Sequence, residues 1–348
     1  MPIAPNFLER LLLGRLNLLP GLLLDYGATL GFRAVLAAVR LGIFDALTSG
    51  PRATSDLAAA TTVNPGALGP LLVALRSLGY VQGTDRGWSL TRQSRRWLTT
   101  GSPDSIVAGL PFLEWNALGI WNDLEAVVRS GSPPRDLYAV LESAPDLSSS
   151  FQAWDRIAGR LVGPALAQAM PVTNRTRRLL DLGGGNGIYS LLLCRRHPRL
   201  STTILDLPGA LPSAHLAIAE AGLGDRVSTR AGDFLADDLG SGFDAVLIAN
   251  VVHGLSMAEA ELIVRRATSA LAPRGVLIVL DQSAADAGGS ATSAITALLG
   301  LGYLVTLGGR TWAPETIRGW LQDAGLVDIG QKQIRRAPGN VLVTGRMP

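Results

Sequence analysis

Apolar positions in the first hundred residues recur at helical spacing. Over residues 34–47 they fall at Val35, Leu36, Val39, Ile43, Phe44 and Leu47, which predicts a helix with one buried side. After Pro51, Thr54 is placed to cap a short helix reaching Ala60. Asn64-Pro65 offers an N-cap and a first-turn proline for a second helix running to Leu78. One face of that helix carries Leu68, Leu71, Leu72, Leu75 and Leu78, and Gly79 ends it. Tyr80-Val81 and Trp88-Ser89-Leu90 flank Thr84-Asp85-Arg86-Gly87 as strand, turn and strand. Three helices and such a wing predict a winged-helix module. Residues 104–170 stay helical in character, with a loop at Gly131-Ser132-Pro133-Pro134 and a boundary over residues 171–176.

From Arg178 the pattern changes to short apolar runs separated by helical segments. Leu179-Leu180-Asp181-Leu182 reads as a buried strand, followed by a glycine loop and a helix over 188–195. Residues 201–205, 226–231, 243–249 and 276–280 are further apolar strands. Such alternation predicts an α/β fold with a doubly wound, mostly parallel sheet. Near the end, a helix over 314–324 stops at Gly325, and strands about Ile329 and over 341–344 can pair as a terminal hairpin. The expected organisation is a mainly α winged-helix domain over 1–103, a helical linker over 104–172 and an α/β domain over 173–348.

Composition narrows the setting. The chain has 348 residues, 47% hydrophobic and 17% charged, which is ordinary for a globular protein. Its one cysteine, Cys194, excludes an intramolecular disulfide, and a cytoplasmic protein is expected. Glu9, Arg10, Arg15, Asp25, Arg33 and Arg40 interrupt the apolar N-terminal segment, so no membrane span is expected there. Residues 287–309 carry no charge but are rich in Gly, Ser and Thr, which favours a buried helix. A net charge of +3 over this length is a weak field for nucleic acid. The wing and the nearby Arg92, Arg95 and Arg96 keep a DNA-binding regulator as the competing class.

The loop after the first α/β strand carries the chemistry. Asp181-Leu182-Gly183-Gly184-Gly185-Asn186-Gly187 has glycines spaced G-x-G-x-G, and Ile188 occupies the third-glycine position of a nicotinamide fingerprint. A phosphate cradle is therefore not predicted. Bare backbone at Gly183, Gly185 and Gly187 lets the amino-acid end of a sulfonium nucleoside approach closely, with Asp181 facing its ammonium group. Asp206, at the next strand end and followed by Leu207, suits two ribose hydroxyls. Asp233 offers an acceptor for an adenine amine, and Phe234 a face for its ring. Singly, each aspartate reads as a turn or cap; together they predict S-adenosylmethionine, with S-adenosylhomocysteine as product. No metal is expected.

On these residues the chain resembles the bacterial and plant small-molecule O-methyltransferases of the caffeic-acid type, which carry an N-terminal winged-helix dimerisation domain. The resemblance spans nearly the whole length. It rests on residues 33–47, 121–131 and 181–187, Asp206-Leu207-Pro208, Gly232-Asp233-Phe234, residues 250–256 and Gly309-Arg310-Thr311. It implies a class I methyltransferase domain of Rossmann-like form with a seven-stranded sheet, a homodimer, and transfer of a methyl group to a hydroxyl of a small aromatic metabolite. It also implies His253 as general base, Asp281 as its supporting carboxylate, and Asn250 among the cofactor contacts. Trp115, Trp121, Phe151, Trp154 and Tyr303 are candidates to wall a flat acceptor pocket. The chain departs from the family at Gly254-Leu255, where Asp-Trp is usual, and near Gly309, where a second carboxylate is absent. These departures leave C-methylation or a non-methylating reaction open.

Overall fold

The structure is a computed structural model describing residues 21–84, 86–283 and 290–348. Glu9, Arg10, Arg15, Asp85 and residues 287–289, invoked above, lie outside the described residues. The chain divides into two compact units, the first ending at Glu114 and the second beginning at Trp115.

In the first unit, α1 (Leu22–Arg40) and α2 (Ile43–Ala46) replace the single helix expected over 34–47. Gly42 at φ 70° turns the chain between them, so Ile43, Phe44 and Leu47 reach the core from a new direction. Next come α3 (Thr54–Thr61) and α4 (Pro65–Ser77). Asn64 Oδ1 caps α4 through the amides of Gly66 and Ala67, as its sequence predicts. Thr54 does not cap α3; its hydroxyl accepts from the Trp88 indole at 3.0 Å instead. β1 (Val81–Thr84) and β2 (Gly87–Leu90) pair antiparallel, and α5 (Arg92–Trp97) follows. Glu114, on α6 (Leu110–Leu118), is an ion-pair partner of both Arg33 and Arg40. Of the described helices, α1 alone has the length and hydropathy to cross a membrane. Those two guanidinium groups on its surface are instead spent on one carboxylate.

The second unit starts with α7 (Leu124–Ser130), α8 (Leu137–Ser143) and the long α9 (Pro145–Ala169). Its sheet is built from β3 (Arg178–Leu182), β4 (Ser201–Asp206), β5 (Val227–Ala231), β6 (Phe243–Ala249), β7 (Leu271–Gln282), β8 (Val327–Gln333) and β9 (Asn340–Arg346). The spatial order is β5-β4-β3-β6-β7-β9-β8. The first five strands run parallel, while β9 is antiparallel to both β7 and β8, so the expected terminal hairpin is present. Between strands lie α10 (Ile188–Arg196), α11 (Leu211–Ala221), α12 (Met257–Ser269), α13 (Ser290–Leu307) and α14 (Pro314–Asp323).

Alternation along the central strands fills two cores. Leu179, Ala245, Leu247, Ile278 and Leu280 pack with Leu166, Leu193 and Ala214. Leu180, Leu182, Val246, Ile248, Leu277 and Val279 pack on the other face with Ile263, Val264, Ile317 and Leu321. Burial on both faces is what makes these strands read as continuous apolar runs. The helix expected to be buried over 287–309 is only partly so: Val305 is buried, whereas Ile295, Leu298 and Leu299 of α13 are exposed.

Candidate active site

The strand ends of β3, β4, β6 and β7 bring the chemistry to one edge of the sheet, around the point where strand order reverses between β3 and β6. Gly183 follows β3 at φ +66°, and a Cβ there would lie 2.8 Å from Val251 and 3.3 Å from the Phe234 ring. A side chain at this position is excluded, and the aromatic edge can close on bare backbone. The loop is tied to the next strand end: the Gly185 amide donates to Asp206 Oδ2 at 2.8 Å, and the Leu207 amide to Oδ1 at 2.8 Å. Each carboxylate oxygen keeps a second lone pair for a hydroxyl. Burial pushes the Asp206 carboxyl up from its ordinary range, and those two amides pull it back.

Asp181 is almost fully buried. Its Oδ2 accepts from the Ser190 hydroxyl at 2.7 Å, while Oδ1 has no partner among the described residues. Desolvation drives its pKa up to about 7, opposed by Ser190 and reinforced by Asp206. A buried carboxylate oxygen without a donor costs on the order of 1–3 kcal/mol, and a cationic ligand would repair that. The residues present therefore fit a nucleoside with an ammonium end. Asp233 is half-buried, with Oδ1 accepting from the Leu235 amide at 2.8 Å. Asn250, at φ 56°, donates from Nδ2 to the Tyr189 hydroxyl at 3.2 Å.

The histidine predicted to act stands on the turn after β6. His253 Nδ1 lies 2.7 Å from Asp281 Oδ1, and the His253 amide donates to Asp281 Oδ2 at 3.2 Å. Asp281 is buried at the end of β7 and also accepts from the Gln282 amide. A carboxylate only accepts, so Nδ1 carries the proton, and in the neutral ring Nε2 is the nitrogen with the lone pair. Ser256 and Glu259 form the predicted capping box that starts α12 just beyond. At Gly309 a Cβ would sit 1.9 Å from the His253 carbonyl oxygen. With this backbone no side chain fits there.

Tyr303, expected on a pocket wall, is stacked on His253 with ring centroids 3.8 Å apart and planes 14° apart. The Trp121 ring packs on α13 at Gly302, where a Cβ would be 3.8 Å from it. Trp115 on α6 and Phe151 and Trp154 on α9 are half-buried. Three residues that sequence reasoning passed over join the site. Ser190 holds Asp181, Tyr189 meets Asn250, and Asp155 of α9 accepts from Asn186 Nδ2 at 2.7 Å. Ser190 and Tyr189 sit in the first turn of the helix after the glycine loop, a position that could have flagged them. Asp155 had no local signal.

The profile of an O-methyltransferase domain matches residues 127–327, more than half of the chain. The chain belongs to the O-methyltransferase family. An O-methyltransferase dimerisation domain also matches, over residues 28–100. Among its relatives, 3-hydroxy-5-methyl-1-naphthoate 3-O-methyltransferase of Streptomyces sahachiroi is 28% identical, covering 94% of this chain and 95% of that protein. Aclacinomycin 10-hydroxylase of Streptomyces purpurascens is 31% identical, over 84% and 80% respectively. An O-methyltransferase family protein from Burkholderia thailandensis superposes with a TM-score of 0.79 at 27% identity, covering 91% of this chain and 94% of that one. This family member is an S-adenosylmethionine-dependent O-methyltransferase, and the glycine loop with Asp181 and Asp206 fits that methyl donor. The dimerisation-domain match supports a homodimer.

Proposed function

We propose that the enzyme methylates a hydroxyl of a small aromatic secondary metabolite, with His253 as general base and Asp281 as the group that holds it. The observation carrying this reading is the 2.7 Å contact from Nδ1 to Asp281, which orients the ring and makes Nε2 the nitrogen that Asp281 does not engage. The neutral imidazole takes the acceptor's hydroxyl proton at Nε2, and Asp281 supports the imidazolium that forms. When bound, S-adenosylmethionine supplies a sulfonium methyl whose C–S bond breaks, its electron pair returning to sulfur, as the acceptor oxygen bonds the carbon. Holding the acceptor in line with that methyl supplies much of the rate. Trp121, with Trp115, Phe151 and Trp154, walls the flat acceptor in this reading. Asp233 and Phe234 take the adenine, and Asn250 borders the donor. A cytoplasmic setting belongs to the same reading, with Cys194 buried and unpaired.

The test is a screen of phenolic metabolites for methyl transfer, followed by His253→Ala on the acceptor found. The variant is expected to keep S-adenosylhomocysteine affinity and lose about 10²- to 10⁴-fold in O-methylation, the usual range for a positioned base. Unchanged turnover removes His253 from the mechanism. A methyl group found on carbon would assign C-methylation. Product without stoichiometric S-adenosylhomocysteine would point to non-methylating chemistry, the direction named in the aclacinomycin 10-hydroxylase relative.

A further inference from the structure

Tyr303 stacks on His253 with ring centroids 3.8 Å apart and planes 14° apart. Such a stack strengthens when one ring carries positive charge, because a cation is attracted to the electron-rich face of the other. His253 becomes that cation once it has taken the acceptor's proton. Tyr303 itself stays neutral: burial first, then the Asp281 charge and Tyr189, hold its hydroxyl well above the ordinary phenol range. Gly309, whose backbone approaches the His253 carbonyl too closely for a Cβ, brings no side chain to the histidine.

The geometry points to Tyr303 as a positioning residue that acts through His253. Its ring face stabilises the imidazolium and fixes the ring plane. This inference rests on His253 being the base. The His253 ring meets Asp281 on β7 and Tyr303 on α13; Tyr189 on α10 acts on the Tyr303 hydroxyl, and the Arg310 amide donates to the His253 backbone carbonyl. The Arg310 guanidinium is turned over the Trp312 ring. Asp281 works in the imidazole plane and Tyr303 on its face, so the two effects are separable.

The chain has only three histidines, so ring-labelled protein gives resolvable titrations for each. The decisive series keeps shape and changes charge on the face: Tyr303→Phe, then di- and tetrafluorinated phenylalanine at the same position, with Tyr303→Leu as the variant without a ring. Against Tyr303→Phe, progressive fluorination is expected to lower the pH midpoint of His253 by about 0.5–1 unit, a three- to tenfold change, while His197 and His215 stay put. Tyr303→Phe keeps an electron-rich face and should keep the His253 midpoint of the parent protein. If the His253 midpoint is the same across the fluorinated series, the stack is packing alone and the inference fails. Because this readout needs no acceptor, its failure is distinct from that of the base assignment, which His253→Ala turnover decides.

Discussion

Asp181 is a carboxylate placed where it is costly without a ligand. Burial raises its pKa to about 7, and one oxygen finds no donor among the described residues. With its folded-state value above the ordinary carboxylate range, it lowers the stability of the unliganded fold as pH climbs towards about 7. A bound ammonium group favours the ionised form, so binding below about pH 7 releases a proton. S-adenosylhomocysteine affinity is accordingly expected to rise from about pH 6 to pH 8 and then level off. Calorimetry in buffers of different ionisation enthalpy measures the released proton. A pH-independent affinity with no proton release would take Asp181 out of the ammonium contact. Asp181 was legible because it precedes a glycine loop on an apolar strand. Its orphaned oxygen was not, since that depends on how deeply β3 and α10 bury it.

At the scale of elements, α9 is held against α10, the helix that follows the cofactor loop, by absent side chains. A Cβ on Gly159 would be 3.1 Å from Ile188, and one on Gly163 would be 3.0 Å from Leu192. Asp155, one turn before Gly159, adds the bond to Asn186 in the loop itself. Burial pushes the Asp155 carboxyl up, with Arg156 opposing. Gly163→Val should push the helices apart and cost about 1–3 kcal/mol, the usual range for overpacking. Thermal unfolding would show a lowered Tm, with weaker S-adenosylhomocysteine binding as the loop shifts. An unchanged Tm would mean that the interface has slack the structure does not show. Residues 104–170 read only as helical in character, while the helix over 188–195 was legible as such. Their close approach was not, because glycines four apart within a helix give no sign of which neighbour they admit.

For the whole molecule, the exposed apolar side chains of α1 set the expectation. Leu22, Leu23, Tyr26 and Leu30 stand exposed within or just before the stretch that matches a dimerisation domain. Large apolar surface of this kind marks an interaction face. The full chain is expected to sediment as a dimer, and Leu23→Glu with Tyr26→Glu and Leu30→Glu should shift it towards monomer by burying charge at that face. A parent protein that sediments as a monomer would contradict the assignment.

Local pattern determined most of the architecture. Strands buried on both faces read as apolar runs, helices show their caps and leucine stripes, and the glycine spacing separates a sulfonium nucleoside from a dinucleotide within seven residues of chain. The match of His253 to Asp281 came from family resemblance, and the fold then supplied the contact by ending β6 and β7 side by side. Tertiary structure alone decided three things: that Tyr303 stacks on the imidazole, that the Gly309 backbone lies against the His253 carbonyl, and that Asp155 clasps the glycine loop. Each joins residues from separate elements. Such contacts depend on how helices and turns dock on the sheet, and docking is set by the summed packing of both cores rather than by any stretch of neighbouring residues.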